Sequence, residues 1–131
     1  MTVAVRRADP DDLVPVMSVL DASMLAADAG TIERRIEAGT VLVAVDDDRI
    51  VGACVLALRP DGAHVEAIAV RTRRRDVGIG SALVDAATAR WGRLTAAFDP
   101  DVRPFYDALG FDVERRGERC WGERPAHDGR E

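Results

Sequence analysis

The amino-acid sequence predicts a mixed α/β fold: a single mixed, mostly antiparallel sheet flanked by helices on both faces. Two observations predict it. Some segments repeat apolar residues with the helical period, whereas others are short apolar runs rich in valine, isoleucine and alanine. Taken along the chain, these segments have the order β-α-α-β-β-β-α-β-α-β-β, which is typical of helices layered on one sheet.

The first half of the chain contributes the opening strand, two helices and three strands that follow one another closely. The apolar pattern and the turn residues predict a strand at residues 3–7, a helix after the aspartates at 9, 11 and 12, a second helix capped by Thr31 and ended by Gly39, a hairpin of residues 41–45 and 50–58, and a strand at residues 64–70. We expect the last three strands to be adjacent and antiparallel.

The second half contains the longest helix and a terminal hairpin. We predict a helix from about Gly78 to Trp91, a strand at residues 94–98, a helix at residues 101–109 and a hairpin at residues 111–124 that turns near Gly117.

Size and composition indicate one domain. The chain has 131 residues, of which 47% are hydrophobic, enough for one core and too few for two. We expect a domain at residues 1–124 and a flexible tail at residues 125–131. No apolar run approaches the roughly 20 residues that cross a membrane, and the first residues lack the apolar segment of a signal peptide. We therefore expect a cytoplasmic protein without a membrane partner.

Charge and cysteine content narrow the classes of partner. The net charge of −5 argues against nucleic-acid binding, and it modestly favours a cationic substrate. Cys54 and Cys120 each lie in a strand-like run, which is typical of buried structural cysteines. Together with His64 and His127 they do not form a metal-ligand spacing, so we expect no metal site.

The loop and helix start after the fourth predicted strand form the most informative segment. Two glycines, Gly78 and Gly80, open the helix, and the arginines at 71, 73, 74 and 75 stand beside them. The first N–H groups of a helix lack internal partners and carry the positive end of its dipole. Glycines there let the backbone close on an anion, so the segment predicts a phosphate site.

Two familiar phosphate-binding motifs do not fit this segment. A P-loop needs lysine followed by serine or threonine after its second glycine, and the chain contains no lysine. A dinucleotide-binding loop needs a third glycine where Leu83 stands, and it follows the first strand of its fold rather than the fourth.

A family resemblance supplies the ligand. The segment IAVRTRRRDVGIGSAL, at residues 68–83, resembles the central motif of the GNAT N-acetyltransferase superfamily, and FYDALGF, at residues 105–111, resembles a second motif of that family. The spacing between the two suits one intervening helix and strand. The resemblance is specific from about Glu66 to Phe111. It implies a GNAT-like fold, with acetyl-CoA as the acyl donor.

The resemblance also implies which residues bind the donor. By analogy with the family, the backbone amides of residues 76–81 bind the pyrophosphate, and the fourth strand pairs with the pantetheine arm through its backbone. By the same analogy, Arg73 and Arg74 contact the 3′-phosphate, and Arg75 shapes the loop. Asp99 stands where the family often has an asparagine that contacts CoA. The implied donor-binding residues are Ile68, Ala69, Val70, Arg73, Arg74, Arg75, Asp76, Val77, Gly78, Ile79, Gly80, Ser81 and Asp99.

Two residues are candidates for catalysis. Tyr106 falls on the usual general acid of the family, so the resemblance implies that it protonates the leaving thiolate. Glu66 interrupts an otherwise apolar strand, and as a carboxylate it could take the proton of an amine directly or through water. Strand alternation predicts His64, Glu66 and Ile68 on one face. There His64 is either a proton relay or an exposed histidine at the start of the strand. The alternative for Glu66 is an ion pair with a nearby arginine, or exposure at a sheet edge.

The sequence therefore predicts an N-acetyltransferase that transfers an acetyl group from acetyl-CoA to a primary amine of a small molecule or protein. The resemblance places the oxyanion donor at the backbone N–H of Ile68 or Ala69. Two alternatives are a catalytically silent acyl-CoA-binding sensor or interaction module, and an acidic interaction domain without a cofactor. The presence of both Glu66 and Tyr106 favours the enzyme. The Cys120-Trp121 pair, in an otherwise polar hairpin, is interpreted as a candidate homodimer contact.

Overall fold

The computed structural model of the chain describes residues 3–22, 28–71 and 78–126. The described elements follow the predicted order: β1 (Ala4–Arg7), α1 (Leu13–Ala22), α2 (Ala29–Glu37), β2 (Val41–Asp46), β3 (Arg49–Arg59), β4 (Gly62–Val70), α3 (Ile79–Trp91), β5 (Arg93–Phe98), α4 (Arg103–Ala108), β6 (Asp112–Arg116) and β7 (Arg119–Arg124). Short 3-10 turns at Pro10–Asp12 and Pro100–Val102 lead into α1 and α4.

The described strands form one sheet of seven in the order β1-β2-β3-β4-β5-β7-β6. Within it the β4–β5 pair is parallel and the other neighbours are antiparallel. The predicted mixed, mostly antiparallel sheet is therefore confirmed, as is the antiparallel run β2-β3-β4. No helix in the part of the chain that the structure describes is long and apolar enough to cross a membrane.

Helices cover both faces of the sheet, as the sequence predicts. The helical period of α3 buries Ile79, Leu83 and Val84 against one face, and α4 packs on the same side. On the opposite face, α1 and α2 cover a second apolar cluster that includes Ile32 and Ile36. Each fully buried aliphatic side chain of this kind contributes about 1.5–3 kcal/mol, so the two clusters hold the sheet between the helix layers.

The start of α2 differs from the prediction. The N-cap is Asp28 rather than Thr31, and the Asp28 carboxylate accepts hydrogen bonds from the backbone N–H of Thr31 at 3.0 Å and from its hydroxyl at 3.1 Å. A carboxylate at the N-cap both accepts the free N–H and favours the helix dipole. Thr31 therefore lies inside the first turn.

A β-bulge lies in the middle of β4. Val55 of β3 pairs with Ala67, but the next residue, Leu56, pairs with Val65. Glu66 is thus an extra residue with no counterpart on β3. An extra residue shifts the alternation of side chains by one from that point onward.

The bulge corrects the predicted faces of β4. Val65 before it and Ile68 after it both point to the α3–α4 face. His64 alternates with Val65 and points to the α1–α2 face, and Glu66 also reaches α2 there. His64 and Glu66 therefore share a face as predicted, but Ile68 does not share it.

Candidate active site

The edge of β4 that faces β5 is open over its last residues. The parallel ladder pairs Gly62–Val65 with Arg93–Ala96 and ends there, while β4 continues to Val70. The backbone N–H of Arg71 donates to the carbonyl of Val51 at 2.9 Å, so Arg71 faces β3.

Alternation along β4 then decides which backbone groups face the open edge. Because successive residues of a strand direct their backbone groups to opposite neighbours, Ala69 faces β3 as Arg71 does. The Ala69 carbonyl oxygen indeed lies 3.3 Å from where a Cβ of Gly52 on β3 would stand. The N–H and C=O groups of Ile68 and Val70 point the other way, toward the gap where β5 diverges.

A cavity of about 110 Å³ begins at the end of this edge. It lies between the last residue of β4, the first turn of α3 and the helix α4. Its lining residues are Val70, Gly78, Gly80, Ser81, Phe105, Ala108 and Leu109. The structure therefore brings together four of the predicted donor-binding residues: Val70, Gly78, Gly80 and Ser81.

The two glycines at the start of α3 serve different purposes. Gly78 is the N-cap and has a φ of +78°, in the left-handed region that favours glycine. Gly80 is favoured by packing, because a Cβ there would lie 3.2 Å from Cδ2 of Leu109 and would push that side chain aside. The N–H groups of Ile79, Gly80 and Ser81 precede the first intrahelical bond, from Ala82 to Gly78, so they remain available to an anion.

Other predicted donor-binding residues fall elsewhere. Arg73, Arg74, Arg75, Asp76 and Val77 lie outside the described residues, so their contacts stay predictions. The side chain of Ile79 is buried in the core.

Asp99 occupies the N-cap of a 3-10 turn and does not line the cavity. Its carboxylate lies 3.6 Å from the Arg119 guanidinium, and both side chains are exposed. Phe105, Ala108 and Leu109 line the cavity but were not predicted from the sequence to do so. All three lie within FYDALGF, so the signal was present in a motif that was interpreted only for its tyrosine.

Tyr106 lies on α4 in an aromatic cluster, in contact with the cavity-lining Phe105. Its ring stacks on Phe98, with centroids 4.0 Å apart, and meets Phe105 and Phe111 edge to face. The residue is only 8% exposed, and burial raises the pKa of its phenol well above the usual range. Tyr106 therefore remains protonated at neutral pH and can act as a proton donor.

The thiol of Cys54, which interacts with this phenol, is not a nucleophile. Cys54 lies on β3 and pairs with Ile68 across the ladder, and it adds to the raised pKa of Tyr106 only where the thiol itself ionises, at high pH. Burial raises the pKa of the Cys54 thiol to about 12, so it stays protonated and inert. Both predictions of buried cysteines are confirmed, since Cys120 is also buried.

Glu66 forms a bidentate ion pair with Arg35 of α2. The Arg35 Nε donates to Oε1 at 2.8 Å, and Nη2 donates to Oε2 at 3.0 Å. Each side chain is about one-third exposed. The hydrogen bonds from Arg35 lower the pKa of Glu66, with burial acting against them. An arginine partner is one of the alternatives predicted for Glu66, but nothing in the sequence pointed to Arg35, which is 31 residues away.

His64 is held on the same face by a threonine and a tryptophan. Its Nδ1 lies 2.7 Å from the Thr95 hydroxyl, and its ring stacks on Trp121 with centroids 5.7 Å apart. Burial, with help from the Arg59 charge, lowers the pKa of His64. The imidazole is therefore neutral at pH 7.

The residues of the predicted homodimer contact have partners within the chain. Cys120 is buried, and Trp121 lies between His64 and the Arg116 guanidinium, which is 4.9 Å from the indole centroid. A homodimer stays a prediction without support from these two side chains.

The candidate residues thus lie on both faces of the sheet. The α3–α4 face carries the cavity and Tyr106, and the α1–α2 face carries Glu66 and His64. The gap where β4 and β5 diverge lies between the two groups. A free strand edge next to a helix start is an arrangement that can accept an extended, phosphate-bearing ligand.

Comparison with known proteins identifies the family. Residues 37–113 match the family described as "Acetyltransferase (GNAT) domain". The match spans more than half of the chain, so the protein belongs to the GNAT acetyltransferase family, and the resemblance seen in the sequence is confirmed. No significant match was found among curated proteins.

Solved structures show the same fold at low identity. Ard1 from Thermoplasma volcanium superimposes with a TM-score of 0.81 at 19% identity, covering 98% of this chain and 100% of that chain. PaiA N-acetyltransferase from Thermoplasma acidophilum, in complex with coenzyme A, superimposes with a TM-score of 0.79 at 16% identity. The superposition covers 95% of this chain and 99% of that chain.

The fold also occurs within a longer protein. N-acetylglutamate synthase from Neisseria gonorrhoeae, complexed with coenzyme A and N-acetyl-glutamate, gives a TM-score of 0.82 at 16% identity over 97% of this chain. The present chain spans 36% of that protein.

Proposed function

We propose that the protein is an N-acetyltransferase that transfers an acetyl group from acetyl-CoA to a primary amine of a small molecule or protein. The observation that carries the proposal is the open edge of β4, which leads into the cavity at the start of α3. The family membership supports acetyl-CoA as the donor, and two proteins of the same fold were solved with coenzyme A.

On the donor side, the pantetheine arm pairs with β4 as an additional strand. Its amide groups hydrogen-bond to the backbone of Ile68 and Val70, which face the gap. The pyrophosphate then lies at the first N–H groups of α3, where the helix dipole favours negative charge. Residues 73–77 complete this assignment as predictions, with Arg73 and Arg74 on the 3′-phosphate.

The reaction is a direct attack on the thioester. The neutral amine forms a C–N bond to the carbonyl carbon, and the nitrogen of the tetrahedral intermediate then releases its extra proton to water. The oxyanion collapses, the C–S bond breaks, and the CoA thiolate takes the phenolic proton of Tyr106, which regains a proton from water. Of the two oxyanion donors that the family resemblance implies, Ile68 is favoured because its N–H faces the gap, whereas Ala69 faces β3. One such donor contributes about 3 kcal/mol.

The amine must first lose a proton. For a lysine-like amine this costs about 4–5 kcal/mol near pH 7. Glu66 lies on the face opposite the donor cavity, and its carboxylate takes the proton directly or through a water molecule. His64, neutral and on the same face, is a second acceptor for that proton.

Turnover with a panel of amines tests the proposal. Acetyl-CoA is incubated with the protein and each amine, and release of free CoA thiol is followed together with acetylated product by mass spectrometry. Acetyl-CoA should also raise the melting temperature, since a ligand that binds only the folded state stabilises it.

Two outcomes contradict the proposal and favour the alternatives. Stabilisation by acetyl-CoA without turnover of any amine indicates a silent acyl-CoA-binding module. Absence of both stabilisation and turnover indicates an interaction domain without a cofactor.

A further inference from the structure

The ion pair between Arg35 and Glu66 joins α2 to the bulge of β4, on the face of the sheet opposite the donor cavity. We propose that Arg35 is a positioning residue of the acceptor site, which holds the Glu66 carboxylate in the orientation that receives the acceptor ammonium group. This inference rests on the proposed function, because it assigns Arg35 a part in the same transfer.

The helix α2 presents Arg35 from a fixed backbone. Ile32 and Ile36 bury the underside of the helix. The carbonyl of Arg35 accepts hydrogen bonds from the backbone N–H of Thr40 at 3.0 Å and from its hydroxyl at 3.3 Å. A carbonyl in the last turn of a helix lacks an intrahelical partner, so Thr40 at the start of β2 satisfies it. The guanidinium therefore extends from a well-anchored position.

The bulge of β4 supplies the other half of the contact. Bulges redirect a side chain, and the extra residue here, Glu66, reaches α2. Two parallel charge-assisted hydrogen bonds, 2.8 and 3.0 Å long, fix both the position and the plane of the carboxylate. Each carboxylate oxygen retains a second lone pair. Glu66 can thus accept a hydrogen bond from an ammonium group or a water molecule while Arg35 stays bound.

Basic groups from three elements act on the carboxylate. Arg35 of α2 hydrogen-bonds to it, and the charges of Arg59 on β3 and, once it is protonated, His64 on β4 also favour its ionised form. The Glu66 carboxylate therefore stays charged when the pH falls well below neutrality. An ionised carboxylate attracts a cationic amine, and it relays the ammonium proton to water, which leaves the nitrogen lone pair free to attack. A freely rotating glutamate would lose this alignment.

The substitution Arg35→Gln in the full chain tests the inference with two measurements. The first is a pH titration of the Glu66 carboxylate by ¹³C NMR, assigned with Glu66→Gln, in which the midpoint moves to higher pH when Arg35 is removed. The second is steady-state kinetics with acetyl-CoA and amine probes such as spermidine and tyramine. We expect kcat/KM for the amine to fall about tenfold and KM for acetyl-CoA to stay unchanged. Arg35→Lys keeps the positive charge but cannot form the bidentate contact, so its kcat/KM for the amine should lie between those of Arg35→Gln and wild type.

A neighbouring arginine provides the matched control. Arg34 precedes Arg35 on α2, and its Nη2 donates to the Thr31 hydroxyl of the same helix at 3.2 Å. Arg34→Gln should leave both the Glu66 titration and the amine kinetics at wild-type values. An effect of equal size in both variants indicates a general effect on α2 and contradicts the inference.

The remaining outcomes separate this inference from the proposed function. A Glu66 midpoint that is the same in Arg35→Gln and wild type shows that Arg35 does not hold the carboxylate in solution, and overturns the inference. So does an unchanged kcat/KM for the amine. A wild-type protein that acetylates no amine overturns the proposed function, and the inference about its acceptor site is then overturned with it, even where the titration shows the ion pair.

Discussion

Gly80 at the start of α3 packs directly against Leu109 at the end of α4. A Cβ at position 80 would lie 3.2 Å from Cδ2 of Leu109, and Phe105 of the same helix follows at 3.7 Å. Both contacts line the proposed donor cavity. The distance between α3 and α4, and with it the shape of the cavity, therefore depends on the absence of a side chain at this position.

We predict that Gly80→Ala weakens acetyl-CoA binding by about tenfold. The added methyl group must push Leu109 aside, and such overpacking costs about 1–3 kcal/mol, partly offset by the better helix propensity of alanine. Calorimetric titration with acetyl-CoA measures the change. In a double-mutant cycle, Leu109→Ala should remove much of the effect of Gly80→Ala, whereas additive effects would show that the two residues do not compete for space.

Tyr106→Phe should slow the reaction while leaving the protein folded. The aromatic contacts with Phe98, Phe105 and Phe111 need only the ring, which phenylalanine keeps. The lost hydroxyl removes a general acid, typically about 10²–10⁴-fold in rate, but a CoA thiolate leaves fairly well unaided. We therefore expect kcat to fall by about tenfold to a thousandfold, at an unchanged melting temperature and unchanged acetyl-CoA affinity. Wild-type turnover by this variant would exclude Tyr106 from the mechanism.

His64 should make the folded protein less stable as the pH falls from 7 to 5. Its pKa is lowered in the folded state, mainly by burial, so the unfolded chain takes up a proton first and is favoured below the ordinary pKa of about 6.5. Denaturation by urea at pH 7 and pH 5 measures this loss. His64→Gln should lose less stability over the same interval, and an identical loss in both proteins would contradict the prediction.

Arg124 of β7 hydrogen-bonds to α3 and to the end of α4, the two helices that line the cavity. Its Nε donates to the carbonyl of Leu109 at 3.0 Å, and its two terminal nitrogens donate to Thr88 and Asp85 of α3 at 2.6 Å each. Hydrogen bonds from a charged group contribute about 1.5–3 kcal/mol each when well formed.

We predict that Arg124→Ala lowers the free energy of unfolding by about 2–3 kcal/mol. Urea denaturation at pH 7 measures it. The control is Arg115→Ala, because the Arg115 guanidinium bonds to Gly117 within its own hairpin and its loss should cost less than about 1 kcal/mol. Equal losses in the two variants would show that Arg124 does not link the helices.

The features that could be predicted from the sequence are those that local chemistry decides. The apolar period of α3, the glycines at its start and the alternation within the strands each depend on residues a few positions apart. The element order and the two flanking helix layers follow from them. Residues 68–83 and 105–111 added the family, because each motif is contiguous in the chain.

The cap of α2 shows how far such local reasoning extends. Asp28 and Thr31 are both good capping residues, and they lie three positions apart. The pattern led to Thr31, which was wrong, because the Thr31 N–H donates to the Asp28 carboxylate and Asp28 is therefore the cap.

Tertiary structure alone decided the environment of Glu66. The bulge arises because β3 and β4 keep their apolar residues on the correct faces on both sides of position 66, and that register is a property of the pair of strands. The partner Arg35 comes from a helix 31 residues earlier. Nothing local in either segment encodes their meeting.

The sequence by itself therefore determined the family and the elements, and it predicts the donor-binding loop. The tertiary structure decided that Ile68 and Val70 face an open edge, because the β4–β5 ladder ends at Val65 and Ala96. It also decided that the Glu66 carboxylate is ionised and hydrogen-bonded to Arg35 rather than unpaired. Both results depend on contacts between segments far apart in the chain, whose energies appear only when the sheet has formed.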